Sequence, residues 1–262
     1  MTLLLHELRR GRTSLIVWSL SISLMIFICM LMFPEMKMQV DEMDKMFSSL
    51  GSFTAAFGLN KISLGDPMGF YGIEGGNILA IGGGFFAALL GIGALANEEK
   101  NRTAEFLLTH PISRTQIVWE KWLAMIAQLF IVNAIIIVFS VSSFYFIGEA
   151  IPWKTFWLMH AAYLLMQIEI ACICFAISAF ISRSGLGIGL GLAGLLYFIS
   201  IIANLTKEAE FLRYFSPFSY ADAASIIAEG KVDITLITIA VICCSVSTFI
   251  AFWQYKRKDI VS

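Results

Sequence analysis

The chain has 262 residues, of which 58% are hydrophobic and only 14% charged, with a formal net charge of −1. Soluble domains carry about 25% charged residues, and a soluble fold of this length cannot hide so much apolar surface, so lipid is the solvent for most of it. The near-neutral charge gives no ground for a nucleic-acid partner.

A bilayer core of about 30 Å is crossed by about 20 apolar helical residues. Six runs qualify, at 14–33, 78–96, 123–147, 155–182, 184–206 and 234–255. They are continuously apolar instead of alternating, which predicts helices and not barrel strands. The expectation is an all-α integral membrane protein, with residues 1–262 as one transmembrane domain of six helices.

In chain order, residues 1–13 read as a short interfacial helix. Leu3, Leu4 and Leu8 can face lipid while Arg9, Arg10 and Arg12 meet anionic headgroups. The run at 14–33 is too long for a signal-peptide core and no A-x-A site follows it, so it is expected to be retained. The segment 34–77 places Met36, Val40, Met43, Phe47 and Leu50 on one helical face, which predicts an amphipathic helix resting on the membrane. The second run carries Gly82, Gly83, Gly84, Gly91 and Gly93, and the fifth carries Gly185, Gly187, Gly189, Gly191 and Gly194. Such spacing lets helices approach closely, within one chain or at a dimer seam, and it also gives helices places to bend.

Between the second and third runs, 97–122 concentrates charge in the stretch EEKNRTAEFLLTHPISR. Pro111 stops one helix. Ser113 then has Gln116 three residues on, a capping box, flanked by Ile112 and Ile117 in the positions of a hydrophobic staple. The pattern predicts two rigid helical pieces meeting at a corner, with a polar rim and the apolar group Phe106, Leu107 and Leu108, as a docking surface requires.

In the fourth run Glu169 is the one charge within a span, with Gln167 beside it and Asn133 on the third run at similar depth. These three read either as a polar substrate site or as an interhelical hydrogen bond that orders the bundle. The segment 207–233 mixes aromatics with charges and predicts interfacial or re-entrant helices broken at Pro217, with Tyr214 and Tyr220 near headgroup level. The five cysteines, Cys29, Cys172, Cys174, Cys243 and Cys244, all fall in spans without C-x-x-C spacing, so packing and not metal binding is expected.

Six spans bring both termini to one face. That face holds eleven Lys and Arg (Arg9, Arg10, Arg12, Lys100, Arg102, Arg114, Lys121, Arg183, Lys256, Arg257 and Lys258) against seven on the other, which predicts that it is cytoplasmic. The segments 34–77 and 207–233 are then extracellular.

The stretch EEKNRTAEFLLTHPISRTQIVWEKWL resembles the first cytoplasmic loop of ABC-2 type transporter permeases. The resemblance rests on Glu98, Glu99, Thr103, Glu105, Leu107, Leu108, Pro111, Ile112, Ser113, Arg114 and Lys121, with Arg102 standing where that family commonly has Gly. The six spans, the basic ends and SPFSYADAA after the fifth span extend it over the whole chain. It implies that 97–122 is a coupling helix docking on a cytoplasmic ATPase, through Glu98, Glu99, Arg102, Thr103, Glu105, Phe106, Leu107, Leu108, Pro111 and Arg114. It further implies two ATPase copies, a second permease subunit, alternating access in a bacterial plasma membrane, and export of amphipathic or hydrophobic cargo such as a membrane-active peptide or drug.

The chain contains no G-x-x-x-x-G-K-[ST], so ATP and Mg are expected on a separate polypeptide and no cofactor on this one. The competing readings are a passive channel or structural membrane subunit, which leaves the docking corner unexplained, and an intramembrane protease. The protease lacks a constellation, because His6, His110 and His160 are scattered.

Overall fold

The structure, a computed structural model, describes residues 2–39, 54, 61–100, 113–182 and 185–258, with the backbone alone at Thr2, Glu99, Lys100 and Lys207. Among the described residues, six helices are long and apolar enough to cross a membrane.

Helix α1 (Thr2–Leu31) is unbroken, so the expected interfacial helix 1–13 and the first span are one rod. Gly11 does not stop it, since an interior glycine costs only about 1 kcal/mol relative to alanine. A Cβ there would collide with the Gln128 side chain, so the glycine lets α1 approach its neighbour. A short α2 (Phe33–Met38) follows, with Pro34 in its first turn. Of the predicted amphipathic face only Met36 is described; Val40, Met43, Phe47 and Leu50 lie outside the described residues.

The second span starts earlier than hydropathy placed it. Asp66 accepts a hydrogen bond from Gly69 N and caps α3 (Pro67–Phe70), which runs through a π-helical turn (Tyr71–Gly75) into α4 (Gly76–Lys100). Met68, Phe70, Tyr71 and Ile73 in this first stretch of the span are buried. The glycines and Glu74 dilute its hydropathy, which is why the run at 78–96 marked only the later part.

Helix α5 (Arg114–Ile147) ends at Gly148, whose φ of 74° is the left-handed conformation that glycine adopts without strain. Helix α6 (Trp153–Ser178) returns after Pro152, and α7 (Leu186–Leu205) follows. The chain between the last two spans comprises 3₁₀ turns at Lys207–Phe215 and Pro217–Ser219 and then α8 (Ala223–Glu229), capped by Asp222. Helix α9 (Ile234–Arg257) is capped by Asp233.

Packing is closest between α4 and α6 and between α1 and α5. On α4, Gly83, Ala87 and Gly91 recur every fourth residue and form one strip against α6. A Cβ on Gly83 would meet the Gln167 amide, and one on Gly91 would meet the Ala171 carbonyl oxygen. Lipid gives helices no hydrophobic reason to associate, so small residues that permit backbone contact carry that role. The fifth-span glycines divide. Gly185 and Gly189 pack on Ile92, whereas Gly187, Gly191 and Gly194 face open space. Helix α7 therefore meets the bundle along one strip, Gly189, Ala193, Leu196, Ser200 and Ala203. On α9, Val241, Ile242, Val246 and Phe249 point outward, as lipid-facing residues do.

Candidate functional site

At the face carrying the termini, three helix ends converge on a chain of charges. Lys121 on α5 is 2% exposed; its Nζ donates to Glu7 Oε1 on α1 at 2.7 Å and to Glu98 Oε1 on α4 at 3.0 Å. Arg10 Nη1 donates to the same Glu98 oxygen at 2.9 Å. Two cations and two anions thus alternate, Glu7–Lys121–Glu98–Arg10, so no charge in the chain is buried without an opposite neighbour. One turn before Lys121, Gln116 Nε2 donates to Glu120 Oε1, while Glu120 Oε2 accepts the Leu4 backbone N–H, one of the orphan donors at the start of α1.

The start of α5 is built as its sequence implies, with one difference. Ser113 Oγ accepts from Gln116 N at 3.2 Å. The reciprocal half of the capping box is not made, because the Gln116 side chain turns to the carboxylate of Glu120, a charged and stronger acceptor. Ile117 is fully buried, and Ile112 lies outside the described residues. Helices α4, which runs to Lys100, and α5, which begins at Arg114, thus both extend into the segment 97–122, whose residues 101–112 lie outside the described residues.

Arg114 Nη1 donates to the backbone carbonyls of Lys258 at 2.7 Å and Lys256 at 3.2 Å, satisfying orphan acceptors at the end of α9. Lys258 Nζ in turn donates to Ile181 O at 2.9 Å. Of the residues assigned to coupling, Glu98 and Arg114 are thus engaged within the bundle. Arg102, Thr103, Glu105, Phe106, Leu107, Leu108 and Pro111 lie outside the described residues, as does the side chain of Glu99.

Above this junction, Glu7, Arg10, Lys121, Asn97 and Gln128 line the polar part of a cavity of about 320 Å³ whose walls include Phe86, Leu90 and Met125. It opens between α1, α4 and α5.

The polar residues of the spans fall into separate places. Asn133 Nδ2 donates to Gln167 Oε1 at 2.7 Å, joining α5 to α6 in the space that Gly83 leaves. Glu169 does not join them. Two residues further on, it points about 200° around α6, where its Oε2 accepts from Tyr220 Oη at 2.8 Å and it shares a cavity with Cys243 of α9. Cys243 lies nine residues, about 14 Å of helical rise, beyond the first residue of α9, near the middle of a bilayer core of about 30 Å.

Tyr220 is buried, 5% exposed, whereas Tyr214 is 55% exposed. In the segment that folds back into the bundle around Pro217, Ser216 and Asp222 cap the short helical pieces and satisfy their first backbone N–H groups, and Asp233 caps the start of α9.

A further buried group had no sequence signal. The Tyr71 hydroxyl lies 2.8 Å from Ser140 Oγ and 3.0 Å from His160 Nε2, within a cage of Phe144 and Phe156. It depends on the π-turn at Tyr71, which side-chain periodicity does not reveal. Among the described residues no group of three or more His, Cys, Asp or Glu is placed to hold a metal ion.

A family model described as ABC-2 family transporter protein matches residues 1–260. No curated protein matches the chain.

Proposed function

Because the chain belongs to the ABC-2 family of transporter proteins and is the membrane permease of an ABC transporter, we propose that residues 101–112 are its coupling element and that the charge chain Glu7–Lys121–Glu98–Arg10 transmits movement from that element to the spans. A cytoplasmic ABC ATPase grips the segment through Glu99, Arg102, Thr103, Glu105, Phe106, Leu107, Leu108 and Pro111. The observation that carries this reading is the anchoring on both sides of the segment: Glu98 before it and Lys121 after it bond to each other and to α1. A push on the segment is then shared by α1, α4 and α5 at once, and Arg114 extends the load to α9. A tether that merely linked two spans would need none of these contacts.

The termini lie on the cytoplasmic side in this reading, in a bacterial plasma membrane, where the Lys and Arg excess belongs. ATP and Mg sit on the ATPase, two copies of which serve two permease subunits. The face of α7 that carries Gly187, Gly191 and Gly194 is the seam for the second subunit: it is apolar, and none of the described residues lies within 4 Å of a Cβ placed at any of the three. ATP-driven closure of the ATPases switches the spans between inward-open and outward-open states and exports an amphipathic or hydrophobic substrate, received in the 320 Å³ cavity between α1, α4 and α5.

The test is purification of the tagged permease from its native membrane. A stoichiometric partner with a G-x-x-x-x-G-K-[ST] motif and vanadate-sensitive ATP hydrolysis supports the assignment. A permease that arrives without one, from membranes where it is active, refutes it.

A further inference from the structure

On the face opposite the termini, a cavity of about 220 Å³ opens between α6, α9 and the 3₁₀ segment, and Glu169 lines it together with Tyr214, Phe215, Tyr220 and Cys243. Glu169 is 5% exposed. It accepts from Tyr220, but among the described residues none of the ion pairs includes it. A carboxylate this deep requires a counter-charge or a polar cavity to remain an ion, and the described residues supply the cavity and a hydrogen bond without the charge.

The route outward has the matching sign. Arg213, Tyr214 and Leu236 are shared with a second, outer cavity of about 450 Å³, whose other walls include Glu208, Glu210 and Asp233. Arg213, the one cation among the described residues that line either space, is 3.4 Å from Glu210. Four acids against one base along a low-dielectric passage concentrate cations there. The aromatic groups add ring faces for the same charge.

We propose that this cavity binds organic cations, hydrophobic amines or quaternary ammonium compounds, with the cationic centre against Glu169 and the apolar body against Tyr214, Phe215 and Leu236. The cation supplies the charge that Glu169 lacks, and Tyr220 holds the carboxylate in place to receive it. As a statement about transported substrate this deepens, and rests on, the permease reading; the binding itself does not depend on it.

The experiment is equilibrium binding by titration calorimetry to the permease in phosphatidylcholine nanodiscs, with no ATPase present. The probes are benzyltrimethylammonium and phenylmethanesulfonate, which share a benzyl group and differ in the sign of the charge. The expected result is saturable binding of the cation alone, weakened about tenfold or more by Glu169→Gln, which corresponds to about 1.4 kcal/mol. Glu169→Asp, which keeps the charge, should retain most of the affinity, and Phe215→Ala should weaken it a few-fold.

Wild-type protein that takes up no cation, or binds the anion as well as the cation, overturns the proposal, as does unchanged affinity in Glu169→Gln. Should that variant fail to fold, the cation-against-anion comparison on wild type and the Phe215→Ala titration decide the matter. With no ATPase in the sample, failure here leaves the coupling assignment standing, and absence of an ATPase partner leaves the binding result standing.

Discussion

Glu98 and Glu169 are acids of nearly equal burial, 6% and 5% exposed, placed in opposite company. Glu98 receives both Lys121 and Arg10 and belongs to a chain of charges that is complete within the protein. Glu169 has one neutral hydrogen-bond partner, Tyr220, and a cavity beside it. A complete network fixes helices relative to one another, because breaking any link strands a charge in low dielectric. An incomplete one leaves a site whose missing component can come from outside. On the proposed reading the termini face is a mechanical joint, and the opposite half a receptor.

The largest effect that tests this contrast is Lys121→Met. It leaves Glu7 and Glu98 without the cation they share, and should lower stability by about 3–5 kcal/mol, read from chemical unfolding in detergent. If the variant unfolds like wild type, the junction is not a joint. Next, Gly91→Ala brings a methyl group against the Ala171 carbonyl and should cost about 1–3 kcal/mol; a neutral outcome would mean that α4 and α6 can part without penalty. Smaller again is Asn133→Ala, which deletes the bond to Gln167, worth about 0.6 kcal/mol in membrane bundles. The smallest effect is expected of Glu169→Gln, because the amide oxygen still accepts from Tyr220 and no ion pair is lost. Its unfolding midpoint should stay within the error of wild type, and a loss comparable to that of Lys121→Met would erase the distinction between joint and receptor.

Features written in hydropathy and local capping were legible in the sequence. The six spans follow from runs of about 20 apolar residues, and the start of α5 follows from Ser113 and Gln116. The end-to-end fusion of residues 2–31 was not, because a polar stretch such as RRGRTS lowers hydropathy without containing anything that breaks a helix. Nor was the early start at Pro67, where glycines and Glu74 mask buried apolar residues.

Among functional residues, depth was readable and azimuth was not. Gln167 and Glu169 sit at similar height, yet two positions on a helix face nearly opposite ways, so Asn133 joins the first and Tyr220 the second. Partners drawn from distant segments, Tyr220 for Glu169 and Glu7 for Lys121, are fixed by tertiary packing and leave no local pattern.

The central claim, that residues 101–112 engage an ATPase beneath the membrane, is tested most directly by a photo-crosslinking amino acid placed at Phe106 in intact cells. The coupling assignment predicts a single adduct with a P-loop ATPase, diminished when Lys121→Met loosens the joint. An adduct with no such protein, or labelling of a cysteine at the same position by a membrane-impermeant reagent applied from outside, would contradict it.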